Sequence, residues 1–182
     1  MKSLKGKNIV LGVCGGIAAY KSCDIIRALV KLDANVECVL TKNGAEFITA
    51  LTLQTLSKNK VHTKMFGEAE NWEIDHISLA KKADIIAVVP ATADIISRLA
   101  AGRADDLLTC SVLASKAKIM ICPSMNSNML SHKATQNNIN VLKGYGYKFV
   151  NPESGELACG DVGDGRLASV ETIVAEIVKE LF

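Results

Sequence analysis

Three side chains that carry chemistry stand far apart in this sequence: the imidazole of His76, the carboxamide of Asn126 and the thiol of Cys159. They supply a titratable base, a neutral hydrogen-bonding group and a sulfhydryl. Taken singly, each has a more ordinary interpretation, as a solvated helix histidine, a turn asparagine and an inert loop cysteine. Their significance depends on whether the fold brings them to one place.

A glycine pair adds a different kind of signal. Gly15 and Gly16 precede Ile17 and separate an apolar run from a helical segment. Small residues at such a turn let backbone N–H groups approach an anion at the N-terminus of a helix, where a phosphate can bind. Thr41, after the second apolar run, offers a hydroxyl. A simple tight turn and a strand-end cap explain the same residues, so neither signal decides alone.

The order of apolar segments predicts the fold. Continuous apolar runs, typical of buried parallel strands, alternate with segments of helical periodicity such as the one ending at Leu181. This alternation predicts an α/β protein: a single-domain, three-layer, Rossmann/flavodoxin-like parallel sheet with helices on both faces. The runs lie at 8–13, 36–40, 85–89, 118–122 and 147–150, and we expect the third to stop at Pro90.

Parallel sheets bind ligands beyond the carboxyl ends of their strands. The segments at these ends carry the unusual residues: Gly15-Gly16, Thr41, the turn Pro90-Ala91-Thr92 and the segment 123–126. Thr92 is also expected to cap the helix that follows it. One long stretch, 151–168, is rich in glycine and charge and reads as irregular; a loop of that length is either functional or disordered.

The composition argues against several classes of function. A net charge of +2 and an aromatic content of 4% give no basic stripe or stacking platform for nucleic acid. His62, His76 and His132 are isolated, without carboxylates or cysteines at ligand spacing, so we expect no metal site. No apolar run approaches the roughly 18–20 residues that cross a bilayer. Six cysteines without a C-x-x-C pair indicate reduced thiols and a cytoplasmic protein.

In combination, these motifs resemble the flavin-dependent cysteine decarboxylases, and most closely the branch that acts on 4'-phosphopantothenoylcysteine in coenzyme A biosynthesis. The likeness runs from Lys7 to about Ile173. It departs from the family at Asp105, where asparagine is frequent, and at Leu130, where an aromatic is frequent. The motifs that carry it are 15–21, His76-Ile77, 90–94, 123–126, 135–138, 158–161 and Gly165-Arg166.

The resemblance implies FMN as cofactor and a redox-neutral reaction: transient oxidation of the substrate thiol to a thioaldehyde, loss of CO2 and re-reduction to 4'-phosphopantetheine. It implies that His76 is a base, that Asn126 binds the substrate carboxylate, and that Cys159 donates a proton from a substrate-covering loop at 151–168. The residues that would hold FMN are Gly15, Gly16, Ile17, Thr41, Pro90, Ala91, Thr92 and Ala93.

The same resemblance implies one flavoprotein domain over residues 1–182, assembled as a homotrimer or homododecamer with sites at subunit boundaries. It also implies fusion to, or cooperation with, a phosphopantothenate–cysteine ligase. Two alternatives stay open: a decarboxylase of C-terminal peptidyl-cysteine, and a non-catalytic flavin-binding regulatory subunit. Flavin prenyl transfer on a related fold would not call for the pair of Asn126 and Cys159. Whether the chain is a whole enzyme or part of a bifunctional one is also open.

Overall fold

The central strands of the chain pair in parallel, as a computed structural model that describes residues 2–66, 75–156, 160 and 162–182 shows. Within those residues the main sheet has six strands in the order β3-β2-β1-β4-β5-β6. The order reverses direction between β1 and β4, which is the doubly wound arrangement. The strands are β1 (Asn8–Val13), β2 (Asn35–Leu40), β3 (Val61–His62), β4 (Ile85–Ala91), β5 (Lys118–Pro123) and β6 (Lys148–Phe149).

Helices cover both faces of this sheet, so the predicted three-layer α/β class is confirmed. One face packs against α1 (Ser22–Lys31), α2 (Ala50–Ser57) and α8 (Val170–Leu181). The other packs against α3 (Asp75–Lys82), α4 (Ala93–Ala100), α5 (Leu107–Ala114) and α7 (Lys133–Gly144). The remaining helices are α6 (Ser127–Ser131) and short 3-10 turns at Ile17–Lys21 and Gly44–Glu46. No helix in the described ranges is long and apolar enough to cross a membrane.

Burial on both faces explains why the strands read as unbroken apolar runs. In β1, Ile9, Leu11 and Val13 belong to the core under α1, α2 and α8, whereas Val10 belongs to the core on the other face. Alternate side chains of a strand point to opposite faces. Every second position must therefore be apolar on each side, and the period-2 pattern of a half-exposed strand disappears.

Gly12 marks the closest approach between the sheet and a helix. A Cβ built on Gly12 would lie 2.5 Å from Cδ1 of Leu108 on α5. Leu108 is almost completely buried. The absence of a side chain at position 12 therefore lets α5 sit directly over the centre of the sheet.

Two predictions of secondary structure were wrong. The fourth strand does not stop at Pro90 but continues to Ala91, with both residues buried. Its pairing with β5 shifts register between Val88 and Ala91, and such an irregularity accommodates a residue that has no N–H to donate. The stretch 151–168 contains an antiparallel hairpin of β7 (Glu153–Glu156) and β8 (Val162–Arg166), because backbone pairing needs no apolar pattern.

The packing at Gly12 generates a first prediction. Replacing Gly12 by alanine should lower the free energy of unfolding by about 1–3 kcal/mol, because the new methyl group overfills a closed core. Denaturant titration of both proteins measures the change. Gly144→Ala is the matched control: apart from the backbone of its own helix and its chain neighbours, no atom lies within 4 Å of the added Cβ. Stability should therefore stay unchanged or rise by a few tenths to about 1 kcal/mol. Equal stabilities for the parent and Gly12→Ala would contradict the packing argument.

Candidate functional site

A cavity of about 930 Å³ opens at the carboxyl ends of the central strands. It lies at the point where the strand order reverses, because the segments after β1 and β4 leave the sheet in opposite directions there. Four loops, those after β1, β2, β4 and β5, contribute to its wall. The predicted site residues that line it are Gly15, Gly16, Ile17, Thr41, Thr92, Ala93 and Asn126.

Close packing requires glycine at the first position of the glycine pair. A Cβ at Gly15 would lie 2.5 Å from Cβ of Asn43 and 2.9 Å from its carbonyl carbon, so the loops after β1 and β2 touch at this point. Gly16 has more room, since the nearest atom to its Cβ would be Cγ2 of Thr92 at 3.9 Å. Gly15 therefore permits the contact between loops, while Gly16 keeps the cavity side of the turn open.

The two threonines hold local structure. The Thr41 hydroxyl donates to the Val13 carbonyl at 3.2 Å and accepts from the Gly44 N–H at 3.1 Å, closing the turn after β2. This fits the strand-end cap interpretation, although Thr41 also lines the cavity. The Thr92 hydroxyl accepts from the Ile95 N–H at 3.3 Å, which confirms the predicted helix cap.

Asn126 is oriented by the helix that follows it. Its Oδ1 accepts a hydrogen bond from the Asn128 N–H at 2.9 Å and caps α6. The bond distinguishes the two ends of the carboxamide, because only the oxygen can accept from an N–H. The NH2 group is therefore the donor of this side chain, at the end of β5 and in the cavity wall.

The β7–β8 hairpin packs directly against the Asn126 segment. The Met125 N–H donates to the Gly165 carbonyl at 3.0 Å, and the Ser127 hydroxyl donates to the Asp164 carbonyl at 2.6 Å. Gly165 has a φ of +126°, and a Cβ there would lie 2.1 Å from the Met125 carbonyl oxygen. The described part of 151–168 thus forms a wall of the cavity; Cys159 lies outside the described residues.

Charged side chains in the cavity wall are the main feature that the sequence patterns did not single out. Arg98 of α4 is bound by Asp106 at 2.8 Å, Asp94 at 3.8 Å and Asp105, and its buried Nε finds no partner among the described residues. The hydrogen bond from Arg98 holds the pKa of Asp105 below its usual range. Asp105, the departure from the family pattern, is thus one of three carboxylates around this guanidinium.

Lys21 and Arg166 also line the cavity, at the end of the 3-10 turn and on β8. Burial lowers the pKa of the Lys21 ammonium, and the positive charge of Arg166 lowers it further. The negative charge of Glu153 opposes these two effects, and its carboxylate accepts a hydrogen bond from the Ser169 N–H at 2.8 Å. Both cations belong to motifs quoted for the resemblance, so a search of those motifs for basic residues would have found them.

Three predicted site residues with described positions do not line the cavity. Pro90 and Ala91 are buried in β4, beneath Thr92 and Ala93. His76 is the second residue of α3, a helix that packs against α5. Its Nδ1 is buried and has no hydrogen-bond partner among the described residues. Within one chain, the structure therefore brings Asn126 and the glycine turn together but leaves His76 apart from them.

The family model described as Flavoprotein matches residues 1–182. This chain belongs to the flavoprotein family. A probable phosphopantothenoylcysteine decarboxylase of Streptococcus mutans serotype c is 43% identical over 177 residues, which cover 96% of this chain and 99% of the relative. The predicted relationship is therefore confirmed.

A longer relative matches with similar identity. The coenzyme A biosynthesis bifunctional protein CoaBC of Vibrio vulnificus is 47% identical over 175 residues, or 96% of this flavoprotein. The match covers 44% of that relative, so the chain spans less than half of the bifunctional proteins that it resembles.

Solved structures share the fold over nearly the whole chain. A PPC decarboxylase mutant complexed with pantothenoylaminoethenethiol superposes with a TM-score of 0.84 at 25% identity, covering 95% of this flavoprotein and 97% of that chain. The FMN-dependent cysteine decarboxylase SpaF gives a TM-score of 0.83 at 25% identity, covering 99% of this flavoprotein and 100% of that chain. Both agree with the Rossmann/flavodoxin-like sheet described above.

The hairpin contact generates a second prediction. Gly165→Ala should loosen the hairpin, because alanine strains a backbone with φ of +126° and its methyl group would overlap the Met125 carbonyl. A strain of about 1–3 kcal/mol raises the population of the opened hairpin by a factor of roughly 5 to 150. Limited proteolysis within 151–168 measures this as faster cleavage.

Gly155→Ala in the same hairpin is the matched control. Its φ is not positive, and the nearest atom to its Cβ would be Nη1 of Arg166 at 3.1 Å, the end of a flexible side chain. Cleavage of this variant should stay within about twofold of the parent, since little strain is added. Equal cleavage rates for the two variants would contradict the assigned role of Gly165.

Proposed function

We propose that this flavoprotein binds FMN in the cavity and decarboxylates 4'-phosphopantothenoylcysteine to 4'-phosphopantetheine in coenzyme A biosynthesis. One observation carries the proposal: the glycine turn, Asn126 and the β7–β8 hairpin meet at a single cavity at the reversal of strand order. A relative of nearly equal length, 43% identical, bears the name probable phosphopantothenoylcysteine decarboxylase.

The residues of the cavity fit a flavin nucleotide. A volume of about 930 Å³ lies within the usual range for small-molecule sites, roughly 300–1,000 Å³. The open side of Gly16 lets backbone N–H groups approach an anionic group. Lys21 and Arg166 supply positive charge for a phosphate, which both FMN and the proposed substrate carry. When bound, FMN would supply a reversible acceptor for a hydride.

The chemistry of the substrate explains why such an acceptor is needed. Loss of CO2 from the α-carbon of an N-acylated cysteine leaves an electron pair without a sink. Oxidation of the adjacent CH2–SH carbon to a thioaldehyde creates that sink. The later return of the hydride and a proton to carbon, and of a second proton to sulfur, restores a saturated thiol, so the net reaction takes up one proton in place of CO2. Atoms and electrons then balance with CO2 as the only product lost. The protein must bind the carboxylate, accept the thiol proton and return a proton to carbon.

Asn126 suits the first of these tasks. Its NH2 donates to the substrate carboxylate without forming an ion pair. A cation at this position would stabilise the charged ground state more than the transition state, in which the negative charge leaves the carboxylate. The cap of α6 holds the carboxamide in place, so the orientation does not depend on the ligand.

The proton transfers are assigned to His76 and Cys159. We propose that His76 accepts the thiol proton. We propose that Cys159, on the substrate-covering segment 151–168, donates a proton to carbon when the decarboxylated intermediate is reduced. Because His76 does not line the cavity of its own chain, a second copy must present it. A homotrimer, or a homododecamer built from trimers, meets this requirement. Ile17, Tyr20 and Met129, which are exposed at the cavity in the single chain, support an interface there.

We further propose that residues 1–182 form one flavoprotein domain that is fused to, or cooperates with, a phosphopantothenate–cysteine ligase. The bifunctional name of the longer relative supports this arrangement. Cytoplasmic location is part of the same proposal, and the free thiols of Cys14, Cys23, Cys38, Cys110 and Cys122 are consistent with a reducing compartment.

The decisive experiment is to purify the protein, record its visible spectrum and measure CO2 release. We expect a flavin spectrum identified as FMN by mass, and CO2 release from 4'-phosphopantothenoylcysteine but not from a peptide ending in cysteine. Preferential turnover of the peptide would support the peptidyl-cysteine alternative. A colourless protein that cannot be reconstituted with FMN would rule out the mechanism.

Asn126→Asp tests the carboxylate site. A second carboxylate about 4 Å from that of the substrate costs about 4 kcal/mol at an effective dielectric constant of 20, or roughly a thousandfold in kcat/KM. The helix cap should survive because aspartate also accepts from an N–H. Asn128→Asp is the matched control, since the Asn128 side chain does not line the cavity. Near-normal turnover by Asn126→Asp would remove this residue from the site.

Cys159→Ser tests the proton donor. A serine hydroxyl is a far weaker acid than a thiol, so the variant should oxidise and decarboxylate the substrate but accumulate the unreduced enethiol. Mass spectrometry of a single turnover distinguishes the enethiol from the saturated aminethiol. Cys23→Ser, at a thiol on α1 away from the cavity lining, should release the normal product. Full release of the aminethiol by Cys159→Ser would refute the role.

A further inference from the structure

His62 lies between two carboxylates from different elements. It is the last residue of β3 and is buried. Its Nε2 is 3.2 Å from Oε2 of Glu37 on β2, and its Nδ1 is 3.4 Å from Oδ2 of Asp75, the first residue of α3. The other oxygen of Glu37 binds Nζ of Lys82, the last residue of α3. These four residues, the α3 clasp, tie both ends of the helix to the edge of the sheet.

The α3 clasp requires a protonated imidazole. A neutral imidazole has one donor and one acceptor nitrogen, whereas an ionised carboxylate can only accept. Only the imidazolium can therefore donate to Glu37 and Asp75 together. The hydrogen bond from His62, more than those from Lys82, holds the pKa of Glu37 at about 2, against the effect of burial. The groups that face His62 are thus two carboxylates, one of them shared with an ammonium.

Helix α3 depends on such ties for its position. It has eight residues, fewer than the roughly 12–15 that an isolated helix needs to be even marginally stable. Its buried side chains are Leu79 and Ala80, and the helix packs against α5. Toward its N-terminus, the bond between Asp75 and His62 joins the helix to the edge of the sheet. His76 is the next residue along the chain.

We propose that His62 is a positioning residue: its imidazolium, bound to Glu37 and Asp75, fixes the N-terminus of α3 and thereby the place of His76. The consequence for catalysis rests on the proposed function, through the assignment of His76 as the base. His62 itself does not line the cavity. Its effect therefore passes through Asp75 to the adjacent His76.

The first arm of the test measures the position of α3 without reference to activity. In His62→Gln, a neutral amide cannot donate to both carboxylates with the charge that the clasp requires. Hydrogen exchange of the α3 amides from Leu79 to Lys82 should become at least tenfold faster. His132→Gln, at an exposed histidine that caps α7, is the matched control and should leave α3 exchange unchanged.

The second arm measures the rate of flavin reduction when the holoenzyme is mixed anaerobically with 4'-phosphopantothenoylcysteine. The substrate should reduce the flavin of His62→Gln roughly tenfold more slowly than that of the parent. The substrate concentration that gives half the maximal rate should stay within twofold, because Asn126 and the cavity wall are untouched. Asp75→Asn should have a similar effect at a half-exposed position that tolerates substitution. If His62 acts through Asp75, flavin reduction in the double variant His62→Gln/Asp75→Asn is no slower than in the slower single variant. Each substitution removes the same contact between His62 and Asp75.

The outcomes separate three cases. Unchanged α3 exchange in His62→Gln and Asp75→Asn overturns the proposal. Faster exchange with flavin reduction unchanged in both variants also overturns it, because the clasp then serves stability alone. If the parent protein is not reduced by the substrate, the decarboxylase proposal fails, and the exchange measurement still decides whether His62 fixes α3. Should His62→Gln fail to fold, Asp75→Asn supplies both readouts.

Discussion

All six strands of the main sheet run in the same direction, and this polarity organises the rest of the molecule. The carboxyl ends of the strands share one edge, so every loop that follows a strand opens on the same side. Reversal of the strand order between β1 and β4 sends adjacent loops apart and leaves a crevice between them. Residues separated by more than a hundred positions, such as Gly15 and Asn126, meet there because the backbone pairing leaves their loops no other edge.

Close backbone packing keeps that crevice in shape. Gly12 admits α5 over the sheet, Gly15 admits the loop after β2, and Gly165 admits the carbonyl of Met125. In each case a side chain would occupy space already taken by another element. Asn126 connects two of these features, because it caps α6 and directly follows the residue that binds the hairpin. The segment that is proposed to contact the substrate therefore also makes structural contacts.

The sheet was predictable because doubly buried strands leave unbroken apolar runs, and most helix positions followed from the same patterning. The end of β4 was not, because a register shift lets Pro90 remain in the sheet. The β7–β8 hairpin escaped detection since its pairing is made by backbone groups of glycine and charged residues.

His62 was interpreted as isolated because Glu37 and Asp75 are distant in sequence and meet it only through strand pairing and the docking of α3. Asp105 was noted as a departure, but its contacts with Arg98 and Arg103 depend on how α4 and the following loop fold.

Cys14 lines the cavity at the end of β1, with its sulfur buried. Burial raises the pKa of this thiol, and the negative charge of Asp106 raises it further. Only the thiolate form of cysteine is strongly nucleophilic. A thioaldehyde is an electrophile that a thiolate would trap as a covalent adduct. In the proposed reaction, the surroundings that keep Cys14 protonated would therefore allow a reactive carbon to exist beside a sulfur atom without being captured by it.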